Sequence, residues 1–329
     1  MTTEIHPLLG VKRPTIITRP AERLAADARN TIEMDDHALW ITGSARVGKT
    51  YGARLLMKSI KWRPYNMAMF EVSYTNPPRP TESYFANGLL LQQGQKVSTR
   101  SVSVEPLTRL ANLFRESAAR QEAGVIGLII NEANRFTVED YEHLLSLDNM
   151  LEPHVRLFTF LINQSDANRF GPSGIDKRPP KHLFARYFIS THEYTGLLWD
   201  CPEDEREFQT QGDVALALHE YDEMQQWPHN SGVSYTRFFA PKAWEGGWRL
   251  GGQIDLIREQ INQLRSEHGL GPATDWRMKT FEKFVYYVLV RFALDNPSFR
   301  ELTPKQIREA LRRSAYIELE LNYDTVVSE

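Results

Sequence analysis

The octapeptide Gly43-Ser44-Ala45-Arg46-Val47-Gly48-Lys49-Thr50 constrains this chain of 329 residues more than any other feature. It fits G-x-x-x-x-G-K-[ST], a loop that wraps a run of phosphates. Its surroundings suit it. Residues 38–42 (ALWIT) read as a buried strand running into the loop, and 49–60 carry a helical pattern leaving it. The two glycines allow a backbone path in which successive N–H groups face the phosphates. The helix N-terminus after Gly48 adds partial positive charge. Lys49 reaches β- and γ-phosphates, and Thr50 offers a hydroxyl to Mg²⁺. Positions 43–50 with Tyr51 are thus the expected nucleotide site, with ATP and Mg²⁺ as its ligands.

The rest of the chain is arranged around such a loop. Four further apolar runs suit buried strands, at 67–74, 125–131, 157–163 and 187–190, and helical patterns fill 105–121 and 138–151. Strands alternating with helices imply a five-stranded parallel sheet covered on both faces, an α/β architecture. Residues 1–36 hold three early prolines and then an amphipathic helix over 21–35. The α/β core is expected over 37–195. A linking insertion rich in Trp, Gly, Pro and acidic residues follows at 196–250. A helical lid spans 251–316, with helices over 253–267, 276–295 and 304–316, and 317–329 form an acidic tail. Thr303 and Pro304 suit the N-cap and first turn of the last lid helix.

Composition excludes several classes. A net charge of -3 leaves no global basic excess, so nucleic-acid binding would need a local patch. One cysteine, Cys201, rules out a disulfide framework and fits a reducing cytoplasm. No run approaches the ~18 apolar residues of a membrane span, so no membrane partner is expected. The histidines form no paired metal spacing, and no G-x-S-x-G is present.

Two strand ends add candidate chemistry. Val125-Ile126-Gly127-Leu128-Ile129-Ile130-Asn131-Glu132 is an apolar strand ending in two polar residues, the form of a Walker B element. Its first polar residue is usually Asp, which holds the Mg²⁺ shell. Asn131 keeps an acceptor oxygen and loses the charge, which predicts weaker metal binding and slower turnover. Glu132 stands where a carboxylate polarises the attacking water. The strand at 157–163 ends in the amides Asn163 and Gln164. Parallel strands deliver their carboxyl ends to one edge, so Asn163 is positioned for the γ-phosphate or the water, the other reading being that these amides cap a loop.

Together the loop at 43–50, Asn131-Glu132-Ala133-Asn134-Arg135, Asn163 and Arg186 in Phe184-Ala185-Arg186-Tyr187-Phe188 resemble an AAA+ ATPase. The stretch at 235–250 (YTRFFAPKAWEGGWRL) resembles the TnsC regulators of CRISPR-associated and related heteromeric transposons. The resemblance covers about residues 20–315, and the phosphate loop is its sharpest motif. It implies an inserted strand beside the loop strand, a helical lid and ATP-dependent homo-oligomeric rings or filaments around double-stranded DNA. It further implies contacts with the transposase subunits TnsA and TnsB and with a TniQ-type targeting complex. AAA+ sites lie between subunits and take an arginine from the neighbour. Arg186 and Arg178 are the two candidates. Arg277 resembles the lid arginine of such sites. Lys96 and Arg100, near Thr99 and Ser101, and Arg135 become candidate contacts to DNA phosphates, although without the resemblance the first two read as solvation of an exposed loop.

The leading expectation is an ATP-dependent, DNA-bound regulator of transposition. A nearly non-hydrolysing ATP-dependent scaffold is the alternative that Asn131 favours. An AAA+ remodeller of a helicase or clamp and a solitary nucleotide kinase stand behind it.

Overall fold

The structure is a computed structural model that describes residues 5–10, 16–75, 81–97, 105–163 and 179–324. Two compact units emerge, one from Ala21–Ala45 and Lys49–Tyr194, the other from Met1–Pro20, Arg46–Gly48 and Thr195–Glu329.

The first unit is built on β1 (Ala38–Thr42), β2 (Met67–Ser73), β3 (Val125–Asn131), β4 (Arg156–Ile162) and β5 (Thr191–Glu193). All neighbours are parallel, in the order β2-β3-β4-β1-β5. Every residue of β1 and of β3 is buried. Strands without polar alternation need cover on both faces, and parallel crossovers provide it. That cover comes from α1 (Arg19–Glu33), α2 (Lys49–Lys58), α3 (Glu82–Gln92), α4 (Pro106–Arg120), α5 (Val138–Leu151) and α6 (Lys181–Tyr187). A Thr137–Asp140 capping box starts α5 at the residue the sequence indicates. The crossover from β3 places β4 between β3 and β1, so Asn131, Asn163 and Thr42 come to one edge of the sheet.

Two elements depart from the sequence expectation. The apolar residues 187–190 do not form the fifth strand. Leu183 and Tyr187, four apart, are buried on the helix α6, and β5 begins at Thr191 with only its middle residue buried. A short edge strand with polar flanks carries no apolar run to detect. The polar segment expected from Gln92 is preceded by α3, capped by the Thr81 hydroxyl and buried through Phe85, Ala86, Leu89 and Leu90. Arg100, Thr99, Ser101, Gln164 and Arg178 lie outside the described residues.

The second unit is helical. A two-stranded pair, β6 (Leu197–Leu198) with β7 (Asp275–Trp276), is antiparallel. Around it lie α7 (Asp213–His219), α8 (Tyr235–Phe239), α9 (Pro241–Glu245), α10 (Ile254–Glu267), α11 (Met278–Tyr286), α12 (Pro304–Ser314) and α13 (Tyr316–Asp324). Trp276 is fully buried, with the rings of Phe281, Phe284 and Tyr316 at 5.3, 5.0 and 6.1 Å. The helix expected over 276–295 divides into α11 and a π-helical stretch over Tyr287–Leu294. The expected acidic tail begins as α13, where Tyr316, Ile317, Leu319 and Glu320 are buried. Among the described residues no helix is long and apolar enough to cross a membrane.

Candidate nucleotide site

The loop from β1 to α2 takes the conformation its glycines permit. Gly43 and Gly48 have φ of 130° and 122°, where side chains with a Cβ are strained. A Cβ on Gly43 would also strike the backbone carbonyl of Tyr194, just past β5. The Tyr194 N–H donates to the Thr42 carbonyl at 3.0 Å, and its ring lies against Gly52. Small residues at 43 and 52 therefore let β5 close on the start of the loop. Arg46 also has a positive φ, 64°, with an exposed side chain. Lys49 heads α2 and is buried, its ammonium donating to the Gly43 and Ser44 carbonyls. A buried ammonium held by loop carbonyls favours an anion arriving at that loop.

At the end of β3, Glu132 sits in the left-handed region, φ 62° and ψ 35°. A residue with a Cβ gives up on the order of 1 kcal/mol there, strain of the sort that gathers at functional sites. Its carboxylate stays partly exposed and pairs with Arg135 at 3.5 Å. Asn163 is fully buried at the end of β4, its N–H donating to the Ile41 carbonyl at 2.9 Å.

Asn131 is 6% exposed. Its Nδ2 donates to Glu71 Oε1 at 2.8 Å and to the Val72 carbonyl at 3.4 Å. Its Oδ1 is buried and has no hydrogen-bond partner among the described residues. An orphaned amide oxygen at the end of β3 and a Thr50 hydroxyl are hard oxygen donors, which fit Mg²⁺. Glu71 is the residue that the sequence reading missed. Its signal was present: a single charge inside the apolar run Met-Ala-Met-Phe-Glu-Val-Ser.

The remaining candidates are engaged elsewhere. Arg186 lies on α6 and binds Asp148 Oδ2 through Nε and Nη2 at 2.9 and 2.7 Å, with Glu152 at 3.6 Å. His37 Nδ1 lies 3.0 Å from the same oxygen. A finger function would require Arg186 to leave a buried carboxylate. Arg277 is buried in the second unit, 3.3 Å from Glu320 and donating to the Leu319 carbonyl at 3.1 Å. Lys96 is exposed beyond α3, and its carbonyl accepts from Arg109 at 2.9 Å.

Residues 32–170 match the family model of the AAA domain. No curated protein sequence is a significant match. Among solved structures, the chain is similar to the ORC2 protein of Aeropyrum pernix in ADPNP-ADP complexes, at 15% identity and TM-score 0.43, covering 97% of this chain and 73% of that one. It is similar to the A. pernix ORC1 protein in complex with DNA, at 15% identity and TM-score 0.38, covering 96% and 86%. AMPPCP-bound DnaA from Aquifex aeolicus aligns at 13% identity and TM-score 0.33, over 92% and 80%. Likenesses at these scores say nothing of substrate or partner.

Proposed function

We propose that this chain is an ATP-hydrolysing switch that assembles on double-stranded DNA and connects target-site recognition to a transposase. The observation that carries the ATPase part is the phosphate loop at the head of α2 with Glu132, its backbone in the left-handed region, directly after β3 of the same sheet. Residues 43–51 cradle the triphosphate, and Lys49 exchanges its loop carbonyls for phosphate oxygens. Thr50 and Asn131 hold Mg²⁺, which neutralises charge on the β- and γ-phosphates when bound. Glu132 accepts the proton of the attacking water, and Asn163 orients that water or the γ-phosphate. An arginine from a neighbouring copy, Arg186 or Arg178, completes the site.

The TnsC-like part rests on the resemblance of residues 235–250 together with the AAA-domain match. In this reading copies form rings or filaments on duplex DNA in the cytoplasm, with Lys96, Arg100 and Arg135 on phosphates. TnsA, TnsB and a TniQ-type complex are the partners. One observation favours a second reading, a scaffold that binds ATP and scarcely hydrolyses it: the neutral Asn131.

Phosphate release from ATP, with and without duplex DNA, tests the ATPase claim. The wild-type chain is expected to release phosphate, Lys49→Ala to lose nucleotide binding, and Glu132→Gln to bind ATP but release phosphate about 10²- to 10⁴-fold more slowly. Release by Lys49→Ala equal to wild type would overturn the claim. ATP binding without release would select the scaffold.

A further inference from the structure

Glu71 is the only charged residue in β2. The register pairs Glu71 with Ile129 and Ser73 with Asn131. Paired residues of parallel strands project from the same side of the sheet, as do residues two apart, so Glu71 and Asn131 share a side. That side carries α2, because Arg54 Nε lies 3.2 Å from Glu71 Oε1. Arg54 follows Thr50 by four residues and occupies the same helix face one turn on. A connected set therefore runs from the helix that bears Thr50, through Arg54 and Glu71, to Asn131.

The hydrogen bond to Glu71 fixes which way the Asn131 amide points. Turned over, it would set an amide oxygen against a carboxylate oxygen at the 2.8 Å that now separates Nδ2 from Oε1. With Nδ2 committed, Oδ1 is left buried and without a partner among the described residues. Such an oxygen needs a donor or a cation. Asn131 brings no charge of its own, but the carboxylate it touches does.

We infer that Glu71 is a positioning residue for the magnesium–nucleotide site: it turns the Asn131 oxygen toward the cation and supplies, from the adjacent strand, the negative charge that an aspartate at 131 would carry. This rests on the Mg²⁺–ATP reading of the loop. Second-sphere partners of this type set metal affinity through ligand orientation and charge. The pair Asn131–Glu71 thus divides one aspartate's work between a ligand and its neighbour.

The test is the affinity of the full chain for the fluorescent analogue mant-ATP, in EDTA and in Mg²⁺. In wild type, Mg²⁺ is expected to strengthen binding. In Glu71→Gln the affinity in EDTA stays the same while the strengthening by Mg²⁺ falls about tenfold. The double variant Glu71→Gln with Asn131→Asp reverses the polarity of the pair, an amide now donating to a carboxylate. It is expected to regain strengthening to within about threefold of wild type. A purely structural Glu71 would change both affinities together. If Glu71→Gln keeps the full Mg²⁺ effect, or the double variant does no better than the single one, the inference is wrong while the nucleotide site stands. If Glu71→Gln is unfolded by circular dichroism, the double variant decides alone. A folded, Mg²⁺-responsive double variant supports the pair, and an unresponsive one overturns it. If wild type binds no mant-ATP in either buffer, the nucleotide reading falls and takes the inference with it.

Discussion

Asn131 and Glu320 are both buried polar side chains, one in each unit, and their surroundings complete them differently. Glu320 lies 2.6 Å from Arg265 Nη1 and 3.3 Å from Arg277 Nη1. Arg265 Nε also donates to the Gly271 carbonyl at 2.6 Å. Burial pushes the Glu320 carboxyl above its ordinary range, opposed by Arg277 and Arg265. Asn131, in contrast, satisfies its donor and leaves its acceptor open. A closed cluster tolerates the loss of no member, because removing any one strands a buried charge. An open one is incomplete until something binds. The helical unit uses buried charge to hold its helices, and the edge of the sheet keeps a buried amide oxygen without a partner among the described residues.

The comparison can be broken most severely at Glu320. Glu320→Ala leaves two buried guanidinium groups uncompensated and is expected to cost about 3–5 kcal/mol, read from urea unfolding. A loss below 1 kcal/mol would show the cluster to be less closed than its geometry. Asn131→Ala should cost less, about 1–2 kcal/mol, since what is lost is the amide's donation to Glu71 and, more weakly, to the Val72 carbonyl. The same variant should abolish the strengthening of nucleotide binding by Mg²⁺. Equal destabilisation by the two substitutions would erase the contrast.

A graded effect, spread over pH, comes from His6. It is buried among Trp227, Tyr235, Phe238 and Phe239, with ring centroids 4.4 to 5.6 Å away. Its Nδ1 accepts from the Leu8 N–H at 3.1 Å. Burial lowers its pKa from 6.5 to about 4. The folded state therefore prefers neutral His6, and the stability this gives is present above pH 6.5 and lost as pH falls from there toward 4. The loss is expected to be on the order of 1 kcal/mol per pH unit across that window, and His6→Phe should flatten the profile. An unchanged profile in that variant would assign the acid sensitivity to other groups.

Much of the architecture was legible because its signals are local. Residues 38–42, 125–131 and 138–151 form β1, β3 and α5 at the bounds their patterns indicate, since continuous apolar runs and helical periodicity depend on no distant partner. Elements defined by partners were harder. β5 is three residues of pairing to β1, with polar ends. α13 reads as an acidic tail until Arg265 and Arg277 are found around Glu320. The candidate site divides in the same way. The glycines, Lys49 and Thr50 stand in one short string. Glu71 is sixty residues from Asn131 in sequence, and only the register of β2 against β3 brings them together.

The most direct measurement is the mass of the particles in solution. Light scattering behind size exclusion would follow the purified chain with Mg²⁺ and duplex DNA, with and without ATP, and with Lys49→Ala as the control. An ATP-dependent switch on DNA predicts assemblies many times the 38.0 kDa of one chain, formed only when ATP and an intact Lys49 are present. A particle that stays at the mass of one chain under every condition would contradict the account and return the phosphate loop to a solitary enzyme.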